Sequence, residues 1–276
     1  LSAASGETAS APSGGDSAPT TEAQKEIWAA CAVGEDASRA YNESVTLRLC
    51  GPLQLAALRS AVQQACRRHD ALRSTITPDG EHLRIAPSLS VDIPLQDLEP
   101  AGETERDDRL RALLNDEVET PFDLHAGPLV RARVARLSAG EHLLVLTAHH
   151  VVCDGWAIDV LVRDIGRLYT QLCRGEEPAL PPAERFADYA RDENDRRQGA
   201  DLAAHEAYWL ERFAGEVPVL NMPTDRPRPP VKTYHGARED MRLDDDLAAG
   251  LKQVGAAAGS TFVYVLLTAF KVFVYR

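Results

Sequence analysis

The sequence predicts an α/β fold, a mixed sheet flanked by helices, and three observations lead there. Segments that alternate apolar and polar residues, as a half-buried strand does, interleave with segments whose apolar residues recur every three or four positions, as on a helix. The strand-like segments are short and are bounded by Gly, Pro, Asn or Asp. At 276 residues with 44% apolar content, the chain also carries enough apolar side chains to bury a substantial core.

Taken in order, residues 1–19 (LSAASGETASAPSGGDSAP) hold almost only small and polar side chains and read as a flexible interdomain linker. Residues 22–33 (EAQKEIWAACAV) read as a helix with Thr20 or Thr21 as its N-cap. In ESVTLRLCG (43–51), Val45, Leu47 and Leu49 alternate with polar neighbours, which predicts a strand. Pro52 opens a helix that sets Leu55, Leu58, Val62 and Cys66 on one face. Short strands are expected at 72–77, 82–86 and 91–95, and a charged helix over about 103–118.

PLVRARVARL (128–137) and EHLLVLTAHH (141–150), joined around Ala139 and Gly140, predict a hairpin whose strands lead toward a pair of histidines. Beyond Gly155 an amphipathic helix turns Ile158, Leu161, Ile165, Leu168 and Leu172 inward and ends before Gly175. Helices near 184–197 and 200–213 precede a proline-rich crossing at 221–230, then a strand at 234–243 and a helix at 245–258. The last segment, STFVYVLLTAFKVFVY (260–275), reads as a helix or strand buried on nearly all sides, its partner surface lying in sequence beyond the chain.

Acidic residues outnumber basic ones by 42 to 30, for a formal charge of −12, which argues against nucleic acid and against an anionic membrane as partners. No apolar run reaches the roughly 18 residues of a membrane span, and no basic-then-apolar leader opens the chain, so a cytoplasmic location is expected. The five cysteines are odd in number and scattered, without a Cys-x-x-Cys pair, and are expected to be reduced, mostly buried thiols.

The chemistry concentrates in VLTAHHVVCDGWAIDVLV (145–162), where His149, His150 and Asp154 lie between apolar runs. Ionisable groups in such surroundings need partners or a task. Successive strand side chains point to opposite faces, so one histidine can face the interior while the other faces a cleft, and Gly155 would relieve crowding in the turn. Three readings follow. In the first, one histidine is a satisfied core residue, the other a surface residue, and Asp154 caps the next helix. In the second the group binds a metal, against which stands the divergence of neighbouring strand side chains and the lack of a third His or Cys. In the third, a histidine at a strand end is a general base and a buried aspartate, Asp154, fixes the local geometry. Cys153 reads as a small packed thiol rather than a nucleophile.

HHVVCDG resembles the His-His-x-x-x-Asp-Gly signature of the condensation domains of nonribosomal peptide synthetases, which are similar to chloramphenicol acetyltransferase. TEAQKEIW (21–28) is similar to the family's opening Ser-x-Ala-Gln-x-x-x-Trp, and RRHDALRSTI (67–76) to its Arg-His-Glu-x-Leu-Arg-Thr, with Asp70 for Glu and Ser74 for Thr. FADYA (186–190), YWLERF (208–213) and PTDRPRP (223–229) follow in the family's order, so the resemblance covers residues 20–276.

The resemblance implies a chloramphenicol acetyltransferase-like first lobe at 20–225 and the crossover and start of a second lobe at 226–276, with half of the active-site tunnel and no activity for the chain alone. It implies amide formation between a donor acyl or peptidyl thioester and an acceptor aminoacyl amine, each delivered on a carrier protein's phosphopantetheine arm, with no cofactor or metal held by the domain itself. His150 would be the catalytic residue. His149, Gly155 and Trp156 would support it, and Asp154 would pair with Arg68 or Arg73 to hold the loop. Donor and acceptor carriers and an adjacent adenylation domain would be the partners, and the wording AYNESVTLRL points to an upstream polyketide synthase module. The rival within the same fold is a non-catalytic docking or scaffold domain that recruits partner proteins.

Overall fold

The computed structural model describes residues 15–197, 199–219, 221–234 and 236–275. Most of the expected linker, residues 1–14, lies outside them. The chain divides into two compact units, Leu1–Glu211 and Arg212–Arg276.

In the first unit the strands are β1 (Asp16–Pro19), β2 (Asn42–Cys50), β3 (Ser74–Ile76), β4 (His82–Ile85), β5 (Leu95–Asp97), β6 (Val130–Ser138) and β7 (Glu141–His149). The helices are α1 (Glu22–Cys31), α2 (Glu35–Arg39), α3 (Leu55–Arg68), α4 (Glu103–Glu119), α5 (Gly155–Cys173), α6 (Phe186–Arg197) and α7 (Ala200–Arg212), with a 3₁₀ turn at Asp70–Arg73. A four-stranded sheet runs in the order β2-β7-β6-β5, antiparallel except for the parallel pair β5 and β6, and a three-stranded antiparallel sheet runs β1-β4-β3. The mixed sheet flanked by helices is therefore present.

The larger sheet is covered on both faces, which explains why β7 reads as an almost continuous apolar run rather than an alternating one. Leu144, Leu146 and Ala148, with Val130, Ala132 and Val134, share a core with Leu58, Ala61, Val62 and Ala65 of α3 and Leu161, Ile165 and Leu168 of α5. On the opposite face Leu143, Val145 and Ala135 pack with Leu98 and with Leu113 of α4. The end of α4 is fastened to the same face by polar contacts. Glu117 is fully buried with its Oε1 2.5 Å from Arg133 Nε, and the Arg131 guanidinium donates to the carbonyls of Glu117 and Thr120, both at 2.9 Å. Asn42 Nδ2 donates to the Val118 and Thr120 carbonyls at 2.7 and 3.0 Å. These donors satisfy the orphan carbonyls that every helix end leaves.

Local chemistry fixes the element ends. Thr21 caps α1 in a reciprocal box with Gln24, and Gly175, at a φ of 69°, closes α5, its N–H and that of Glu176 bonding back to the carbonyls of Leu172 and Gln171. Three consecutive residues at the end of α3 tie the helical layer together. Arg68 Nε and His69 Nε2 lie 3.0 and 2.9 Å from Asp164 Oδ2 on α5, while the buried Asp70 accepts from the backbone N–H groups of Phe186 and Ala187 at 2.8 and 3.1 Å, starting α6.

The structure corrects several expectations. Residues 16–19 of the expected linker form β1, because their backbone pairs with β4 although their side chains offer little to bury. The helix after Pro52 begins at Leu55, and the strand expected at 91–95 lies at Leu95–Asp97, with Val91 and Ile93 buried just before it. Two cysteines, Cys66 and Cys153, are buried, Cys31 and Cys173 partly so, and Cys50 is exposed on the polar face of β2.

In the second unit, α8 (Asp245–Ala257) and α9 (Phe262–Tyr275) are the helices, and no strand forms among the described residues of 234–243. The final apolar segment is a helix, packed on α8 where Gly255 lets Val265 approach, but none of its described residues is buried: one neighbouring helix cannot cover a surface that is apolar all round. No single described helix is long and apolar enough to cross a membrane, and α8 and α9 meet at a bend of 101°.

Asp70 yields a stability test. Asp70→Ala leaves two backbone donors at the start of α6 without their acceptor and is expected to lower the unfolding free energy by about 2 kcal/mol in a urea titration.

Candidate active site

Five residues, His150 to Asp154, connect β7 to α5, and each turn of that connection is held by a named contact. His149 N–H donates to the Leu129 carbonyl at 3.0 Å, His150 N–H to the Tyr41 carbonyl at 2.8 Å and Val152 N–H back to the His149 carbonyl at 3.0 Å. Gln24, buried on α1, donates its Nε2–H to the Val151 carbonyl at 2.8 Å. Val151, Val152 and Cys153 are buried beneath the loop, and Asp154 closes it as the N-cap of α5, accepting from Ala157 N–H at 2.8 Å.

The two histidines diverge, as strand alternation requires. His149 is 0% exposed, its Nδ1 accepts from Val151 N–H at 3.2 Å, and its Nε2 faces Cys31 Sγ at 3.6 Å. The Phe122 ring meets it edge-on at 6.0 Å. Burial pushes its pKa down to about 4, so at neutral pH the ring is uncharged with its proton on Nε2.

His150 is only partly covered. Its Nδ1 lies 3.2 Å from the Cys153 carbonyl oxygen. A carbonyl can only accept, so Nδ1 carries the proton and Nε2 presents a lone pair. The Glu43 carboxylate stands 3.3 Å from the same Nδ1, and the Tyr41 ring lies nearly parallel to the imidazole at 6.3 Å and 16°. Nε2 has no hydrogen-bond partner among the described residues. An imidazole held by one nitrogen with the other bare is equipped to accept a proton from a bound nucleophile.

Asp154 is where the expectation fails. It makes no ion pair with Arg68 or Arg73 among the described residues: it is an exposed helix cap. Arg68 instead pairs with Asp164, ten residues further along α5 and so about 15 Å from the loop by the helical rise. Arg73 donates to the backbone carbonyls of Arg67 and Ala86. A Cβ on Gly155 would meet nothing within 4 Å, so no crowding calls for glycine there. Trp156 is 83% exposed and is not part of either core among the described residues. Cys153 is indeed a packed thiol, pushed up to about 12 chiefly by burial and therefore no nucleophile near neutral pH. Among the described residues no three His, Cys, Asp or Glu side chains converge to hold a metal ion.

Sequence reasoning assigned no role to Tyr41 or Glu43. One signal was available: Val45, Leu47 and Leu49 mark the inward face of β2, and the next position on that face toward the histidines is a glutamate. Gln24 falls on the Gln of the resembled opening segment, but its role, like that of Asp164, had no local signal, since their partners lie 127 and 96 residues away.

The condensation-domain family model matches residues 15–276. The chain belongs to that family. Among curated relatives it is 34% identical over 95% of its length to chondramide synthase of Chondromyces crocatus, and 35% identical over 94% to one of the linear gramicidin synthase chains of Brevibacillus parabrevis, spanning only 7% and 5% of those proteins. It also shares 35% identity with a phosphinothricin tripeptide synthetase of Streptomyces viridochromogenes, covering 94% of the chain and 24% of that protein. These relatives are nonribosomal peptide synthetases. Among solved structures, the starter condensation domain of rhizomide synthetase superposes with a TM-score of 0.65 at 24% identity over 72% of this chain and 48% of that one, which shows the shared fold. The X-domain solved in complex with OxyB from teicoplanin biosynthesis gives 0.71 at 28% identity over 94% and 57%. This condensation domain thus has the chloramphenicol acetyltransferase-like fold and spans about half of those solved chains.

Two measurements check the site. Asp154→Asn keeps a capping oxygen and is expected to cost no more than about 0.5 kcal/mol, whereas Asp164→Asn strips the charge that holds Arg68 and is expected to cost about 2 kcal/mol. Parallel urea titrations decide between them. His149 supplies a pH signature. Its folded value near 4 lies below the ordinary 6.5, so between the two the unfolded chain takes up a proton that the folded chain excludes. Its contribution is complete above about 6.5 and is lost as the pH falls toward 4, by up to about 3 kcal/mol. In His149→Gln, the slope of stability against pH over that window is expected to be correspondingly shallower.

Proposed function

We propose that this domain forms the amide bond in a nonribosomal or hybrid polyketide-peptide assembly line, with His150 as the proton acceptor. The observation that carries the reading is the partly exposed imidazole fixed through Nδ1, with no partner on Nε2 among the described residues. The acceptor amine nitrogen bonds to the donor thioester carbon as a proton passes from nitrogen to His150 Nε2. The carbon–sulfur bond then breaks and the proton leaves with the departing thiol. Both substrates arrive on phosphopantetheine arms, so donor and acceptor carriers are partners, together with the neighbouring adenylation domain and, upstream, a polyketide synthase module. Cytoplasmic assembly fits these partners. The domain needs no metal or resident cofactor for this step. Thioester aminolysis is intrinsically easy, and holding amine and carbonyl together supplies much of the acceleration.

The likeness to the X-domain favours a second reading, recruitment of a partner protein without chemistry. The histidine pair supports catalysis instead: a recruitment surface has no use for a loop pinned from α1, β2 and α5 around one bare imidazole nitrogen.

The test is amide formation between loaded carriers, followed by mass spectrometry, in the synthetase that contains this domain. His150→Ala is expected to lower turnover by about 100-fold or more with the melting temperature unchanged. Parental turnover in that variant would overturn the catalytic reading.

A further inference from the structure

The inward face of β2 carries Val45, Leu47 and Leu49 and then, one step closer to the site, Glu43. A carboxylate breaks the apolar alternation there, at a strand end where 41% of its side chain remains exposed. Among the described residues Glu43 has no lysine or arginine in ion-pair reach: the group it faces within 4 Å is His150 Nδ1, at 3.3 Å. Its position is set by backbone on both sides. Glu43 pairs with Ala148 in the β2–β7 register, Tyr41 accepts from His150 N–H, and the Asn42 side chain grips the end of α4.

We propose that Glu43 is a positioning residue for His150: its carboxylate shares the Nδ1 proton with the Cys153 carbonyl and so keeps Nε2 bare toward the acceptor amine. The Cys153 carbonyl alone, at 3.2 Å, is a single acceptor on a loop, and ring rotation would break it. A second acceptor on the neighbouring edge strand β2 holds the ring from another direction. The proton stays on Nδ1 throughout, so no transfer to Glu43 is involved. The contact stands on its own, and its kinetic consequence rests on the amide-forming reading above.

Two arms test it. In the chain labelled with ¹⁵N-histidine, long-range proton–nitrogen spectra at pH 8 report which ring nitrogen of His150 carries the proton. The parent is expected to show Nδ1–H. Glu43→Ala is expected to admit a comparable share of Nε2–H, and Glu43→Gln, whose amide oxygen still accepts, to restore Nδ1–H. In the complete synthetase, Glu43→Ala is expected to lower kcat about tenfold with KM for both loaded carriers within about twofold, and Glu43→Gln to recover to within about threefold of the parent. A His150 tautomer unchanged in folded Glu43→Ala, as judged by its melting curve, would overturn the proposal. A shifted tautomer with parental turnover in both Glu43→Ala and His150→Ala would leave the contact standing and remove the catalytic reading on which its kinetic arm depends.

Discussion

A buried hydrogen bond from Gln24 Nε2 to the Val151 carbonyl, 2.8 Å long, joins the first helix of the fold to the loop that carries the histidines. Val151 sits with Val152 and Cys153 in the apolar floor of that loop, where an unpaired carbonyl would be expensive. Gln24 can reach it because its own Oε1 is engaged by Thr21 N–H in the capping box, which turns the amide so that its nitrogen points at the loop. The chain therefore uses one side chain to start α1 and to stop the loop from peeling away from the sheet. The other holds, from Tyr41 beside β2 and the Asp154 cap on α5, act on a backbone that Gln24 has already seated.

From that seat follows the contrast between the two histidines. They are adjacent in sequence, yet one has its ring against Phe122 over a sheet face sealed by α4, and the other lies at the edge of the opposite face beside a carboxylate. Burial makes His149 a neutral spacer whose job is to fill and to hold Val151 N–H. Partial exposure leaves the His150 ring within reach of solvent. Their different roles come from strand alternation at the end of β7 and need no difference in residue chemistry.

Much of this was readable in the residues. Periodicity located β2, the β6–β7 hairpin and α5, because each buries a continuous face and the pattern of burial is written in the side chains. The capping chemistry of Thr21 and Gly175 was equally local. What resisted was anything decided by tertiary reach. β1 has no apolar pattern of its own and exists because β4 offers it an edge. The burial expected of α9 is absent among its described residues because α8 alone cannot cover a helix that is apolar on every side. The resemblance pairs Asp154 with Arg68 or Arg73, but Arg68 at the end of α3 meets Asp164, a residue inside an otherwise amphipathic helix with nothing in its neighbourhood to mark it. Glu43 lay in between, visible as a break in a strand's alternation but meaningless until the register placed it beside His150.

The central claim is that the loop carrying His150 is preorganised by contacts within this chain. Amide hydrogen exchange read residue by residue tests it most directly, because the N–H groups of His150 and Val152 are the loop's own reporters. The account predicts that both exchange as slowly as Leu146 in the middle of β7, and that Gln24→Ala speeds them about tenfold or more while Leu146 stays protected. Fast exchange at His150 and Val152 in the parent, or protection indifferent to the loss of Gln24, would contradict it.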